Sequence, residues 1–193
     1  MKIDIILAGV GGQGILTIAA VIGMAAVDKN LYLKQDEVHG MSQRGGDVQS
    51  NLRLSDKPIY SDLITKGCAD IIISVEPMEA LRYLPYLKKG GYVITNIVQF
   101  NNIVNYPNED ELNARIKALP NRIAINADQI AKDLGNTRAS NIVVLGAAVP
   151  FLGLSIKELE GGIKSLFGSK GDDVVEMNIT ALHAGYEFAK SEM

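Results

Sequence analysis

Ile3-Asp4-Ile5-Ile6-Leu7-Ala8 and the turn directly after it, Gly9-Val10-Gly11-Gly12-Gln13-Gly14, decide how this chain is read. The first stretch is apolar but for one Asp and reads as a buried strand. The second sets Gly at three positions of a G-x-G-x-x-G pattern. Ile15 to Val27 then follows without one charged residue and reads as a helix. Strand, glycine turn and helix open an α/β fold with a mainly parallel sheet. A glycine turn lets backbone approach a ligand, and a helix start offers free N–H groups and a positive dipole end. That is the physics of a phosphate or pyrophosphate cradle. The same glycines also suit a tight turn that needs them only for its backbone angles.

Composition bounds the rest. The 193 residues are enough for one domain with a full core, and 47% are hydrophobic against 21% charged. Net charge is −3 with no long basic run, so neither nucleic acid nor an anionic membrane is an expected partner. The apolar run at the N-terminus is too short for a signal peptide or a membrane span, which points to a cytoplasmic protein. One cysteine, Cys68, excludes a disulfide framework and an iron–sulfur cluster held by this chain alone. Cys68 precedes an apolar strand and reads as a packed small residue. His39 and His183 show no zinc spacing.

The helix from Ile15 to Val27 is apolar nearly all round, so it needs cover on both sides. Either it is the central helix of a three-layer fold, or another subunit supplies part of the cover. Leu31 to Gln35 reads as a second strand, parallel to the first through a right-handed crossover. Asp36 and Glu37 fall about 20 residues past the glycines, where a dinucleotide fold keeps its ribose-binding acid. A crossover helix should follow in that fold. The sequence gives a loop instead, Val38 to Gly46, and then alternation over Asp47–Leu54. Ser55-Asp56-Lys57-Pro58 reads as a turn and Ile59-Tyr60 as a returning strand. An antiparallel ribbon here departs from the nicotinamide-binding pattern.

Loops that follow parallel strands gather at one sheet edge, where ligands sit in open α/β folds. Ser42, Gln43 and Arg44 are therefore expected near Gly9–Gly14. Arg44 beside Gly45 and Gly46 suits a phosphate or carboxylate, because the guanidinium fork is planar and the backbone can come close.

Ala69 to Val75 reads as a buried strand. A helix is expected from Glu76-Pro77 through Met78 to Lys88, stopped by Gly90-Gly91, with Tyr92–Asn96 the next strand. Glu76 reads as a first-turn acid favoured by the helix dipole. A charged helix is expected near Asn108–Leu119, then a strand at Arg122–Ala127. Asp128 is expected to cap a short helix, Gln129–Leu134. Asn136 and Asn141 also read as caps, Arg138 as a partner contact, and Ile142–Val149 as a second apolar helix before Pro150. Ser155-Ile156-Lys157-Glu158 reads as a capping box, and a last helix starts at Asp172. No repeats or second-domain boundary emerge, so the chain reads as one domain, 1–193.

Three stretches together resemble a known family. They are Gly9–Gly14 with its apolar helix; Glu37 to Gly46, containing Gly40-Met41-Ser42-Gln43-Arg44-Gly45-Gly46; and Asp128 to Gly146, with Leu134-Gly135-Asn136-Thr137-Arg138. The chain resembles the gamma-type domain of the 2-oxoacid:ferredoxin oxidoreductases, nearly end to end. Within that family it is similar to the small (beta) subunits of the indolepyruvate branch. The resemblance implies a three-layer, Rossmann-like α/β sandwich with one antiparallel ribbon. It implies a large (alpha) catalytic subunit that binds thiamine diphosphate, Mg and iron–sulfur clusters, with ferredoxin as electron acceptor and coenzyme A as co-substrate. Gly9, Gly11, Gly12, Gln13 and Gly14, with Ser42, Gln43, Arg44, Gly45 and Gly46, are then candidates for holding coenzyme A phosphates or for subunit contact. An independent NAD- or FAD-binding enzyme and a non-catalytic assembly protein are the competing readings.

Overall fold

The computed structural model describes residues 1–39 and 45–193. A six-stranded sheet runs in the order β2-β3-β1-β4-β5-β6. The strands are β1 (Lys2–Val10), β2 (Tyr32–His39), β3 (Asp47–Ser55), β4 (Ala69–Ser74), β5 (Leu87–Asn96) and β6 (Arg122–Ile125). β1, β4, β5 and β6 are parallel neighbours, while β3 pairs antiparallel with both β1 and β2. The α/β sandwich with one antiparallel ribbon is thus the observed architecture.

β2 does run parallel to β1 after its crossover helix, α1 (Ile15–Asp28), but it is not β1's neighbour. β3 folds back from β2 and takes the place beside β1, with every residue from Lys2 to Val10 in register against it. The expected return at Ile59-Tyr60 does not form a strand; β3 already has a partner on each side.

Alternation divides the core between two sheet faces. Ile5 and Leu7 of β1, Leu52 and Leu54 of β3, and Ile71 and Ile73 of β4 point to one face. That face is covered by α1, α4 (Ala127–Asp133), α5 (Ser140–Ala148), α6 (Ile156–Phe167) and α7 (Asp172–Ser191). Ile6, Ala8, Ile72 and Val93 point to the other, under the short α2 (Pro77–Arg82), with α3 (Glu109–Lys117) beyond it. α5 is buried over its length from Asn141 to Ala148, which explains its lack of a polar face. α3 is the opposite: it buries Leu112 and Ile116 one turn apart, with acids in its first turn and Arg115 and Lys117 in its last.

Several local expectations are corrected. The helix after Glu76 ends at Arg82 instead of Lys88, because Pro85 supplies no N–H to continue the α-helical ladder, and a single 3-10 turn, Leu84–Tyr86, follows. Gly90 and Gly91 therefore sit inside β5, at a register shift against β4. A Cβ on Gly91 would lie 2.8 Å from the Asp70 carbonyl oxygen, so the bulge needs a glycine there. The cap of α4 is Asn126, which accepts from the Gln129 N–H at 3.0 Å; Asp128 instead accepts from Asn96 Nδ2 at 2.6 Å. Cys68 is exposed, not packed. The capping box at Ser155 and Glu158 forms with both of its hydrogen bonds. His183 bonds Glu160 at 2.7 Å, as a satisfied side chain should.

Candidate functional site

The parallel strands deliver their following loops to one edge, and the β2–β3 hairpin ends at that edge as well. Gly12 (φ 101°) and Gly14 (φ 80°) are left-handed, which the turn requires of them. Gly9 has a different reason to be glycine. A Cβ there would meet Val75 at 2.4 Å and Ile15 at 2.8 Å, so Gly9 lets strand and helix close up. Gln13 folds back, its Oε1 accepting from the Val10 N–H at 2.8 Å, and holds the turn.

The turn is tied to two distant segments. Gly11 N–H donates to the Gly46 carbonyl at 2.9 Å, and Gly45 N–H to the Gly11 carbonyl at 3.4 Å. Gly45 and Gly46, which lead into β3, therefore lie on the glycine turn. Ser42, Gln43 and Arg44 lie outside the described residues. Asn141, at the start of α5, donates from Nδ2 to the Gly14 carbonyl at 3.1 Å and is 8% exposed. It is a tether and not a cap, since α5 has no side-chain cap; nor does Asn136 cap the one-turn helix after it. Asn102 adds a third strut, donating to the Gly45 carbonyl at 2.7 Å.

These elements enclose a cavity of about 370 Å³, whose lining includes Gly11, Gly12, Gly14, Leu16, Glu37 and Val48. The N–H groups of Gly12, Gly14, Ile15 and Leu16 have no acceptor among the described residues. No acid stands in the first turn of α1. This is an anion-receptive rim over an apolar floor. Glu37 is the one carboxylate among the described residues of its wall. It comes from β2, one strand further from β1 than in a dinucleotide fold because β3 intervenes, a displacement of about 4.8 Å. Asp36 faces the other side of the sheet, next to Asn51.

A second polar cluster stiffens the same edge. Glu76 is fully buried and caps α2, accepting from the Glu79 N–H at 2.9 Å and from the Tyr106 hydroxyl. Phe100 N–H also reaches it at 3.5 Å, so the 97–107 loop is held down at both points. Burial pushes the Tyr106 hydroxyl well above its ordinary pKa, and the Glu76 carboxylate adds to the shift. Burial also raises Glu79, although Arg82 at 2.7 Å opposes it. Sequence reasoning misread Asn141 as a cap and missed Asn102 and the dual role of Glu76. A lone Asn heading an apolar helix was the available signal.

Among the described residues no three His, Cys, Asp or Glu side chains gather as metal ligands. With a single cysteine, this chain's own residues do not fit an iron–sulfur cluster. No helix among the described residues is long and apolar enough to cross a membrane.

Fold and site together define an α/β domain with an anion-receptive glycine turn. The chain belongs to the pyruvate ferredoxin/flavodoxin oxidoreductase family, whose model matches residues 4–188. It is 38% identical to indolepyruvate oxidoreductase subunit IorB of Pyrococcus horikoshii, covering 97% of this chain and 96% of that protein. It is 36% identical to the subunit of that name in Archaeoglobus fulgidus, covering 99% and 97%. The gamma subunit of a keto/oxoacid ferredoxin oxidoreductase from Geobacter sulfurreducens has the same fold, with a TM-score of 0.72, 25% identity, and coverage of 98% of this chain and 99% of that one. The fold recurs in the 2-oxoglutarate:ferredoxin oxidoreductase of Magnetococcus marinus, solved with 2-oxoglutarate, coenzyme A and succinyl-CoA bound. The TM-score is 0.76 at 21% identity, covering 98% of this chain but 31% of that longer one.

Proposed function

We propose that this chain, as a single domain over 1–193, is the small subunit of a cytoplasmic indolepyruvate or aryl-pyruvate:ferredoxin oxidoreductase. In that reaction a 2-oxoacid and coenzyme A give the acyl-coenzyme A and CO2, and an electron pair passes to ferredoxin. Thiamine diphosphate, Mg and the iron–sulfur clusters belong to the large subunit, where they supply decarboxylation and electron transfer. This chain contributes the edge of the coenzyme A site. The observation that carries the reading is the glycine turn, whose N–H groups, without an acceptor among the described residues, open onto a cavity in a chain similar nearly end to end to indolepyruvate oxidoreductase subunits. The coenzyme A pyrophosphate seats on Gly12, Gly14 and the start of α1. Gly9, Gly11 and Gln13 shape that turn, Gly45 and Gly46 buttress it, and Ser42, Gln43 and Arg44 remain candidate phosphate contacts by residue type.

The test is reconstitution. Mixed with the large subunit, the chain should support viologen reduction with indolepyruvate plus coenzyme A, faster than with pyruvate, while each subunit alone stays inactive. Equal activity of the large subunit alone would remove the catalytic role and leave an assembly protein. Dinucleotide bound to the purified chain would favour an independent oxidoreductase. Arg44→Ala should raise the coenzyme A KM about tenfold with little change in kcat, the loss of one charge-assisted phosphate contact. An unchanged KM removes Arg44 from the site.

A further inference from the structure

We propose that two copies of this chain pair through β2, antiparallel about a two-fold axis at Gln35, joining their sheets into one. β2 is one of the two edge strands of the sheet, and at eight residues the longer one. Its eight residues run in unbroken register against β3, with no proline and no bulge to blunt the free side.

The strand is complementary to itself in one register. A two-fold axis perpendicular to the sheet keeps each face on its own side, so it passes through a residue and pairs i with j of the same parity. An axis on Lys34 or on Asp36 sets that charge against its own copy. An axis on Gln35 sets Lys34 against Asp36 twice and Tyr32 against Val38 twice. Among the described residues, neither Lys34 nor Asp36 has an ion-pair partner within its own chain. Lys34 instead stands opposite a like charge, Arg53 of β3. Tyr32 and Val38 flank the charges on the same face, 50% and 55% exposed. On this face charge and apolar surface both find their counterparts in a second copy, while on the helix-bearing face the same register sets Leu33 beside Glu37.

α1 points the same way. Its inner face packs on the sheet and on α6, where Gly162 meets the Val21 carbonyl. Leu16, Ala20, Met24 and Val27 form an outer stripe, and Leu16 and Val27 stay more than half exposed. The lower part of that stripe opens with Leu33 and Gln35 into an apolar groove of about 400 Å³ beside β2. In the paired sheet the two α1 helices flank the axis, and each groove receives the other copy's stripe. The apolar helix that needs cover on two sides gets the second from its own kind.

The 193-residue chain should run at twice 20.8 kDa in sedimentation or light scattering. Lys34→Glu and Asp36→Lys each place like charges at both contacts and should weaken the dimer about tenfold or more. The double variant K34E/D36K restores opposite signs and should restore the dimer. In a C68S background, Gln35→Cys on the axis should form a disulfide dimer under mild oxidation, whereas Lys132→Cys on α4 should not. A monomer at about 100 μM overturns the proposal. So does a dimer indifferent to the single variants, or a double variant that stays weak. Protection of β2 only when the large subunit is added also overturns it, and gives the edge to that subunit.

Discussion

Asn141 holds the turn from 127 residues away, and its amide has little water to fall back on. Asn141→Ala removes the bond to the Gly14 carbonyl and should cost about 1–2 kcal/mol in urea unfolding. A looser turn should also raise the coenzyme A KM several-fold. Gly14→Ala is harsher, since its Cβ would lie 2.4 Å from the Asn141 amide at a φ of 80°. A loss near 3 kcal/mol is the expected size of strain and clash together. Sequence reading found the glycines and misassigned Asn141, because a cap and a long-range tether put the same residue type before an apolar run. Glu79 offers a pH test at the same edge. Burial raises its folded pKa above the ordinary 4.5, so the folded state holds the proton more tightly than the unfolded chain. Stability from this group is therefore full at low pH and falls as pH rises through the ordinary value toward the raised one. Glu79→Gln keeps the shape without the charge, so wild type should lose Tm relative to it as pH rises above the ordinary 4.5. A gap that stays constant would mean that Arg82 fully offsets the burial.

Two adjacent glycines of α6 separate propensity from packing. A Cβ on Gly161 meets nothing, so Gly161→Ala should stabilise by about 0.5–1 kcal/mol through helix propensity alone. A Cβ on Gly162 would lie 2.4 Å from the Val21 carbonyl, so Gly162→Ala should cost about 1–3 kcal/mol as α1 and α6 part. Denaturation midpoints of the pair decide it, and equal shifts would deny the close crossing. α5 and α7 cross in the same way, with Gly146 against Leu182 and Gly185 against Val143. Periodicity located all of these helices, since a charge-free run and a capping box are local signals. Pairing was less legible. Alternation in β3 announced a strand, but nothing local says that it will slide between β2 and β1. The length of α2 turned on one residue, Pro85, inside a run that otherwise reads as helix.

The whole sandwich is lopsided, and its thin side depends on a charge. Five helices cover one face, whereas beside β1 and β3 the other is covered by the chain between β3 and β4. Arg53 holds that segment. Its guanidinium reaches Asp4 at 2.7 and 3.2 Å and the carbonyls of Ser61 and Leu63 at 2.9 and 3.1 Å. The edge where Gly11 meets Gly45 and Gly46 was legible because chain direction alone carries loops there. The Asp4–Arg53 clasp at the far end was not, because an Asp inside an apolar strand does not name its partner. Asp4 is 2% exposed, so Arg53→Met leaves a buried carboxylate with only Lys2, 3.1 Å away and largely in solvent. Breaking such a pair costs about 3 kcal/mol, most of it the unpaired charge. Replacing Asp4 with Asn in the same chain removes that charge, so the double variant should recover much of the loss. Urea midpoints of the two variants measure this, and faster hydrogen exchange over 57–64 should accompany both, since each loses the Arg53 bonds to the segment. If the single variant costs under about 1 kcal/mol, Lys2 alone neutralises Asp4, and the clasp serves the segment and not the sheet.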